Sequence, residues 1–97
     1  MNLNATVKLL AEETNGISSA TGNPWRGRMA LLEWQSGAGI VNRAWCALFN
    51  DKLEAFEMQG IKVGDWVEVT IRCTTRTYRT GFNRTDVEIL EIKKRTL

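Results

Sequence analysis

Histidine is missing altogether from the 97 residues. That removes imidazole from the roles it commonly fills: general base, triad member, zinc ligand. Cysteine occurs twice, as Cys46 and Cys73, without CxxC spacing. Two isolated thiols are expected to be small buried hydrophobes rather than a disulfide or a metal site. No apolar run approaches the roughly 20 residues that span a bilayer. The amino-terminus alternates polar and apolar residues instead of presenting a signal-type apolar core. A cytoplasmic protein with no membrane partner is the expectation. There is no glycine-rich phosphate loop ahead of a helix and no nucleophile elbow. Asp51, Glu54 and Glu57 read as helix surface. The chain thus offers no catalytic residue, no metal site and no cofactor site, and is expected not to be an enzyme.

Carboxylates are also missing from one long stretch: none occurs between Glu68 and Asp86. Within that stretch lie Arg72, Arg76, Arg79 and Arg84, with Tyr78 and Phe82 among them. The net charge of the whole chain is only +2, so the distribution says more than the total. The segment Trp66–Arg84 also carries a strand pattern. Val67, Val69, Ile71 and Cys73 are apolar, whereas Glu68, Thr70, Arg72, Thr74 and Arg76 are polar. This alternation puts one face on a core and the other in water. A strand with a cationic wet face and aromatics at its end has the composition to hold a polyanion with stackable bases.

What surrounds that strand is ordinary for a globular chain, at 43% hydrophobic and 25% charged. One domain, residues 1–97, with a modest core is expected. Residues 2–12 form a first strand, with Leu3, Ala5, Val7, Leu9 and Ala11 on one face and Leu10 as the exception to the alternation. Residues 15–24 are rich in turn formers and read as a flexible loop. Trp25–Gln35 is a second strand of ambiguous phase, because Met29 to Leu32 is continuously apolar. Gly37-Ala38-Gly39 is a hairpin connection. Ile40–Phe49 is a third strand, with Ala44, Cys46 and Leu48 toward the core and Arg43 and Trp45 on the wet face.

Asp51–Met58 is the one good helix. Asp51 is its expected cap, with Glu54 completing a capping-box spacing; Leu53 and Phe56 face inward. After the fourth strand and a loop at Thr80-Gly81 comes a last strand, Thr85–Ile92. Its apolar phase shifts near Ile89, which implies a bulge. Three strands, a short helix and two strands is the plan of an all-β fold, the five-stranded OB-fold Greek-key barrel. The helix sits between strands 3 and 4. Such barrels bind oligonucleotides on the face of strands 2 and 3 and with the loops between strands 1–2 and 4–5.

An ordered set of short pieces carries a resemblance. They are Trp25-Arg26-Gly27-Arg28, Val41-Asn42-Arg43-Ala44-Trp45, Phe49-Asn50-Asp51-Lys52, Lys62-Val63-Gly64-Asp65, Thr75-Arg76-Thr77-Tyr78 and Gly81-Phe82-Asn83 with Asp86. Over about residues 3–93 the chain resembles small OB-fold domains related to bacterial single-stranded DNA-binding proteins. The resemblance implies single-stranded DNA across the sheet, with bases on exposed aromatics and phosphates on Lys and Arg. It points to Trp25, Arg28, Arg43, Trp45, Arg76, Tyr78 and Phe82. The cationic face adds Arg26, Arg72, Arg79 and Arg84. The chain departs from the family at Lys93-Lys94-Arg95-Thr96-Leu97, which is basic where those proteins carry an acidic tail.

Two readings of the exposed aromatics stand side by side. In one they stack bases without sequence preference; DNA and RNA both remain candidate ligands, because stacking and phosphate contact serve either polymer. In the other the domain is a protein-interaction or assembly module whose tryptophans bury against a partner. A homodimer or homotetramer is expected, with the first strand pairing edge to edge across a two-fold.

Overall fold

Alternation in the sequence becomes a ring of paired strands. The computed structural model describes residues 2–95. Its strands are β1 (Asn2–Leu10), β2 (Thr14–Ile17), β3 (Pro24–Ser36), β4 (Ile40–Phe49), β5 (Trp66–Thr77) and β6 (Asn83–Lys94), with a 3-10 turn at Gly37–Gly39 between β3 and β4 and one α-helix, α1 (Asp51–Met58), between β4 and β5. Hydrogen-bonded neighbours run β1-β5-β6-β4-β3-β2, and a further β1–β3 pairing returns the sheet to its start. Closing a sheet on itself removes most edges and encloses one core. That core is built from Ala5, Val7, Ala30, Leu32, Cys46, Leu48, Val67, Val69, Ile71 and Ile89. Leu53 and Phe56 of α1 are buried in the same cluster.

Two bulges interrupt the strand pairing. Against β3, Val7 pairs with Leu32 but Leu9 pairs with Leu31, so Lys8 is the extra residue. The bulge reverses the phase. Leu10 therefore packs on the core, while Leu9 turns outward and is exposed. Against β5, Ile89 pairs with Ile71 and Glu91 with Thr70, which leaves Leu90 as the extra residue, beside the expected position. The run Met29–Leu32 resolves by simple alternation: Ala30 and Leu32 face the core, Met29 and Leu31 the outside.

Four expectations need correction. Residues 14–17, most of which read as flexible loop in the sequence, form β2 against Pro24–Gly27 of β3. Trp25 lies over Gly16 there; a Cβ on that glycine would stand 3.1 Å from the indole. Asp51 is the first residue of α1, not its cap. The cap is Asn50, at φ 48°, with no side-chain capping bond, because its Oδ1 accepts the backbone N–H of Arg26 instead. Cys73 is exposed, whereas Cys46 is buried; burial pushes the Cys46 thiol up to about 11, with a smaller contribution from Cys73 nearby. Finally, β1 is not an edge strand over its whole length, as edge-to-edge pairing of that strand with a second copy expects. It pairs with β5 over Asn2–Thr6 and with β3 over Thr6–Leu10, while Val7 exchanges backbone bonds with Asp65 and Gly64.

That last contact explains the Lys62-Val63-Gly64-Asp65 piece. Lys62 N–H donates to Asp65 Oδ2 at 2.9 Å, which closes the turn. The turn is thereby pinned to β1, and Trp66 emerges from it at the start of β5. Among the described residues no helix is long and apolar enough to cross a membrane.

Candidate nucleic-acid interface

β5 and β6 outrun the ring. Every residue from Arg72 to Thr85 is exposed, so the distal halves of both strands form a projecting two-stranded arm. An isolated hairpin is only marginally stable in water. Cross-strand side-chain contacts hold this one: Thr75 to Thr85 at 2.9 Å, and Thr77 donating to Asn83 at 2.8 Å. At the tip, Tyr78 and Phe82 pack with ring centroids 6.0 Å apart. Gly81, at φ +81°, closes the turn between them. The Thr75 and Thr77 contacts line one face of the arm. Alternation puts Arg72, Thr74, Arg76 and Tyr78 on the other, opposite Glu88, Asp86, Arg84 and Phe82.

Between this arm and the ring lies a groove. β4 and β6 run parallel and touch through a single register pair, Ala47 with Glu88. Their divergence opens a space of about 730 Å³. One wall is the outer face of β3–β4: Met29, Trp45, Ala47 and Phe49. The other includes Arg72, Thr74, Arg76, Arg84, Asp86 and Glu88 from the arm. Trp45 is 45% exposed, as its parity against Cys46 and Leu48 requires.

Phe49 is placed by a glycine. It sits over Gly27 on the facing strand, and a Cβ there would come within 2.8 Å of the ring. Gly27→Ala is expected to push Phe49 out of the wall and to cost about 1–3 kcal/mol, as overpacking does. Denaturant titration of the two proteins checks it.

The arginines divide into two groups. Arg72 meets Glu88 at 3.1 Å and Arg84 meets Asp86 at 3.0 Å. Glu88 thus supplies a carboxylate from the neighbouring strand and Asp86 one from the same strand, so the arm is less cationic than Trp66–Arg84 read alone. Arg76 and Arg79 have no ion-pair partner among the described residues. Arg76 also lies directly opposite Arg84 in the ladder. Like charges in that position repel, and the Asp86 carboxylate on Arg84 offsets part of that repulsion.

Of the other expected residues, Arg43 stands on the same outer face as Trp45 but binds Glu33 at 2.7 Å. Trp25, Arg26 and Arg28 are not brought to the groove. Trp25 lines a separate space with Glu13, Asp51 and Glu54. Arg28 Nε donates to the Ala11 carbonyl at 2.7 Å. Arg26 binds Glu13 and Glu57, each at 2.7 Å, and so ties the segment before β2 to α1. The hydrogen bond from Arg26 is the main cause holding the Glu13 carboxyl below its ordinary value. A lowered carboxylate stabilises above its ordinary pKa and loses that contribution as pH falls through the lowered one. Arg26→Ala is therefore expected to lower the thermal midpoint at neutral pH, by a margin that shrinks in acid, and to leave ligand affinity unchanged.

Met29 and Phe49 are groove residues that sequence reasoning missed. Met29 was hidden in the apolar run, and Phe49 at a strand end gave no parity signal beyond its match to Trp45. No family model matches this chain, and no curated protein matches it either.

Proposed function

We propose that the chain is a non-enzymatic, largely sequence-independent binder of single-stranded DNA, built as an OB-fold. Support for the fold comes from the five ring strands β1, β3, β4, β5 and β6. In chain order they match the five strands of that barrel, with α1 between the third and fourth. One observation carries the functional reading: a single open groove joins Trp45, Phe49 and Met29 to Arg72, Arg76 and Arg84. Apolar and aromatic side chains on one wall offer faces to bases; guanidinium groups on the other offer charge to phosphates. Tyr78 and Phe82 extend the same face of the arm.

The test is tryptophan fluorescence titrated with oligo(dT) and oligo(rU) at several salt concentrations. The reading predicts saturable quenching and an affinity that falls as salt rises. Each phosphate neutralised adds about 0.7 to the logarithmic salt slope, so Arg76→Ala is expected to reduce that slope by about 0.7. Tighter binding of oligo(dT) supports DNA as the ligand; tighter binding of oligo(rU) assigns RNA. The second reading, a docking face for another protein, is favoured by the apolar row Leu9, Leu31 and Trp45 across β1, β3 and β4. It predicts no saturable response to any oligonucleotide.

A further inference from the structure

The outer face does not end at Trp45. Two residues back along β4 is Arg43, and from there a cross-strand row runs through Glu33 of β3 and Thr6 of β1 to Trp66 of β5. Three strand spacings of about 4.8 Å separate β4 from β5, or about 14 Å across the sheet. At the far end Trp66 is 39% exposed, close to the value for Trp45. It lines an open pocket of about 340 Å³ with Asn4, Thr6, Glu33, Trp34 and Gln35.

Trp66 follows an acidic loop residue and precedes Glu68, and on the sequence alone it reads as structural because Glu68 repels phosphate. The structure removes that objection. The Glu68 carboxylate is bound by Arg95 at 2.6 Å, and Lys93 faces it across the β5–β6 ladder. Arg95 also lies over the indole, 5.4 Å from the ring centroid. Glu33 likewise meets two cations, Arg43 at 2.7 Å and Lys8 at 3.9 Å. Each carboxylate on the path is thus outnumbered by basic groups, and an aromatic ring stands where the path ends.

We propose that the Trp66 pocket is a second base-binding subsite for the same single strand, reached from the groove across the β4–β3–β1–β5 face. This rests on the reading of the groove as a nucleic-acid site. A short strand occupies the groove; a longer one continues over Arg43 and Lys8 and sets a further base against Trp66, with its phosphates near Lys93 and Arg95.

The experiment compares oligo(dT) of roughly four and roughly twelve nucleotides, lengths spanning the range that OB-type domains occupy. The parent protein is expected to bind the longer one more tightly. Trp66→Ala is expected to leave the short oligonucleotide unaffected and to weaken the long one by about 5- to 150-fold, the loss typical of one stacked base. Lys93→Glu, which leaves the ring in place, is expected to reduce the salt slope for the long oligonucleotide only; it decides the matter if Trp66→Ala shows no cooperative unfolding transition. Equal binding of both lengths by the parent overturns the proposal, as does unchanged long-oligonucleotide binding in both variants, while Trp45-dependent binding in the groove stands. Absence of binding to either length overturns the groove reading and this proposal together.

Discussion

Trp45→Ala is expected to weaken binding of oligo(dT) by about 5- to 150-fold and to leave the folded state essentially as stable as before. The size follows from the 1–3 kcal/mol typically lost when an aromatic under a stacked base is truncated. The neutrality toward folding follows from position. Trp45 is nearly half exposed and points away from Cys46 and Leu48, which carry the core on that strand. Its removal opens no internal cavity. Titration with oligo(dT), alongside a denaturant melt of the same variant, separates the two effects. Loss of affinity with an unchanged melt supports stacking in the groove. Unchanged affinity removes Trp45 from the site.

Phe56→Ala is expected to do the reverse. The ring is 2% exposed and plugs the ring of strands from α1, beside Leu53. Truncating a fully buried phenylalanine costs about 3–5 kcal/mol, from lost transfer energy and the cavity left behind. A domain of this size has roughly 5–15 kcal/mol in total. The variant should therefore show a large fall in denaturant midpoint with little change in slope. At temperatures where it is still folded, its oligonucleotide affinity should match the parent, because α1 contributes nothing to the groove. A midpoint within a few tenths of a kcal/mol of the parent contradicts the assignment of Phe56 as the core plug.

Set against each other, these two side chains show what can be read from sequence. Both were legible through parity alone: Trp45 from its alternation with Cys46 and Leu48, Phe56 from its i, i+3 spacing with Leu53. The Leu90 bulge was legible because the apolar phase slips there; the bulge at Lys8 was not, and it turns Leu9 outward, against its expected place on the core face. Cross-strand partners were not legible. Which carboxylate meets Arg72 depends on β5–β6 register, and that register is set by the bulge at Leu90 and by the turn at Gly81. Cys73 keeps the inward parity of Val69 and Ile71 yet is exposed, because the core ends before the strands do. Arg26 and Arg28 share their parity with Ala30 and Leu32, and only the tertiary placement of Glu13, Glu57 and the Ala11 carbonyl explains where they go. β2 left no signal, since four residues rich in turn formers show no alternation to detect.

The most direct measurement of the central claim is amide chemical-shift mapping of the isotope-labelled protein during addition of oligo(dT). The account predicts saturable shifts at Met29, Trp45 and Phe49 and along Arg72–Arg84, with Glu13, Asp51 and Glu54 unmoved. Shifts gathered instead around Glu13, Asp51 and Glu54, or none that saturate, would contradict it.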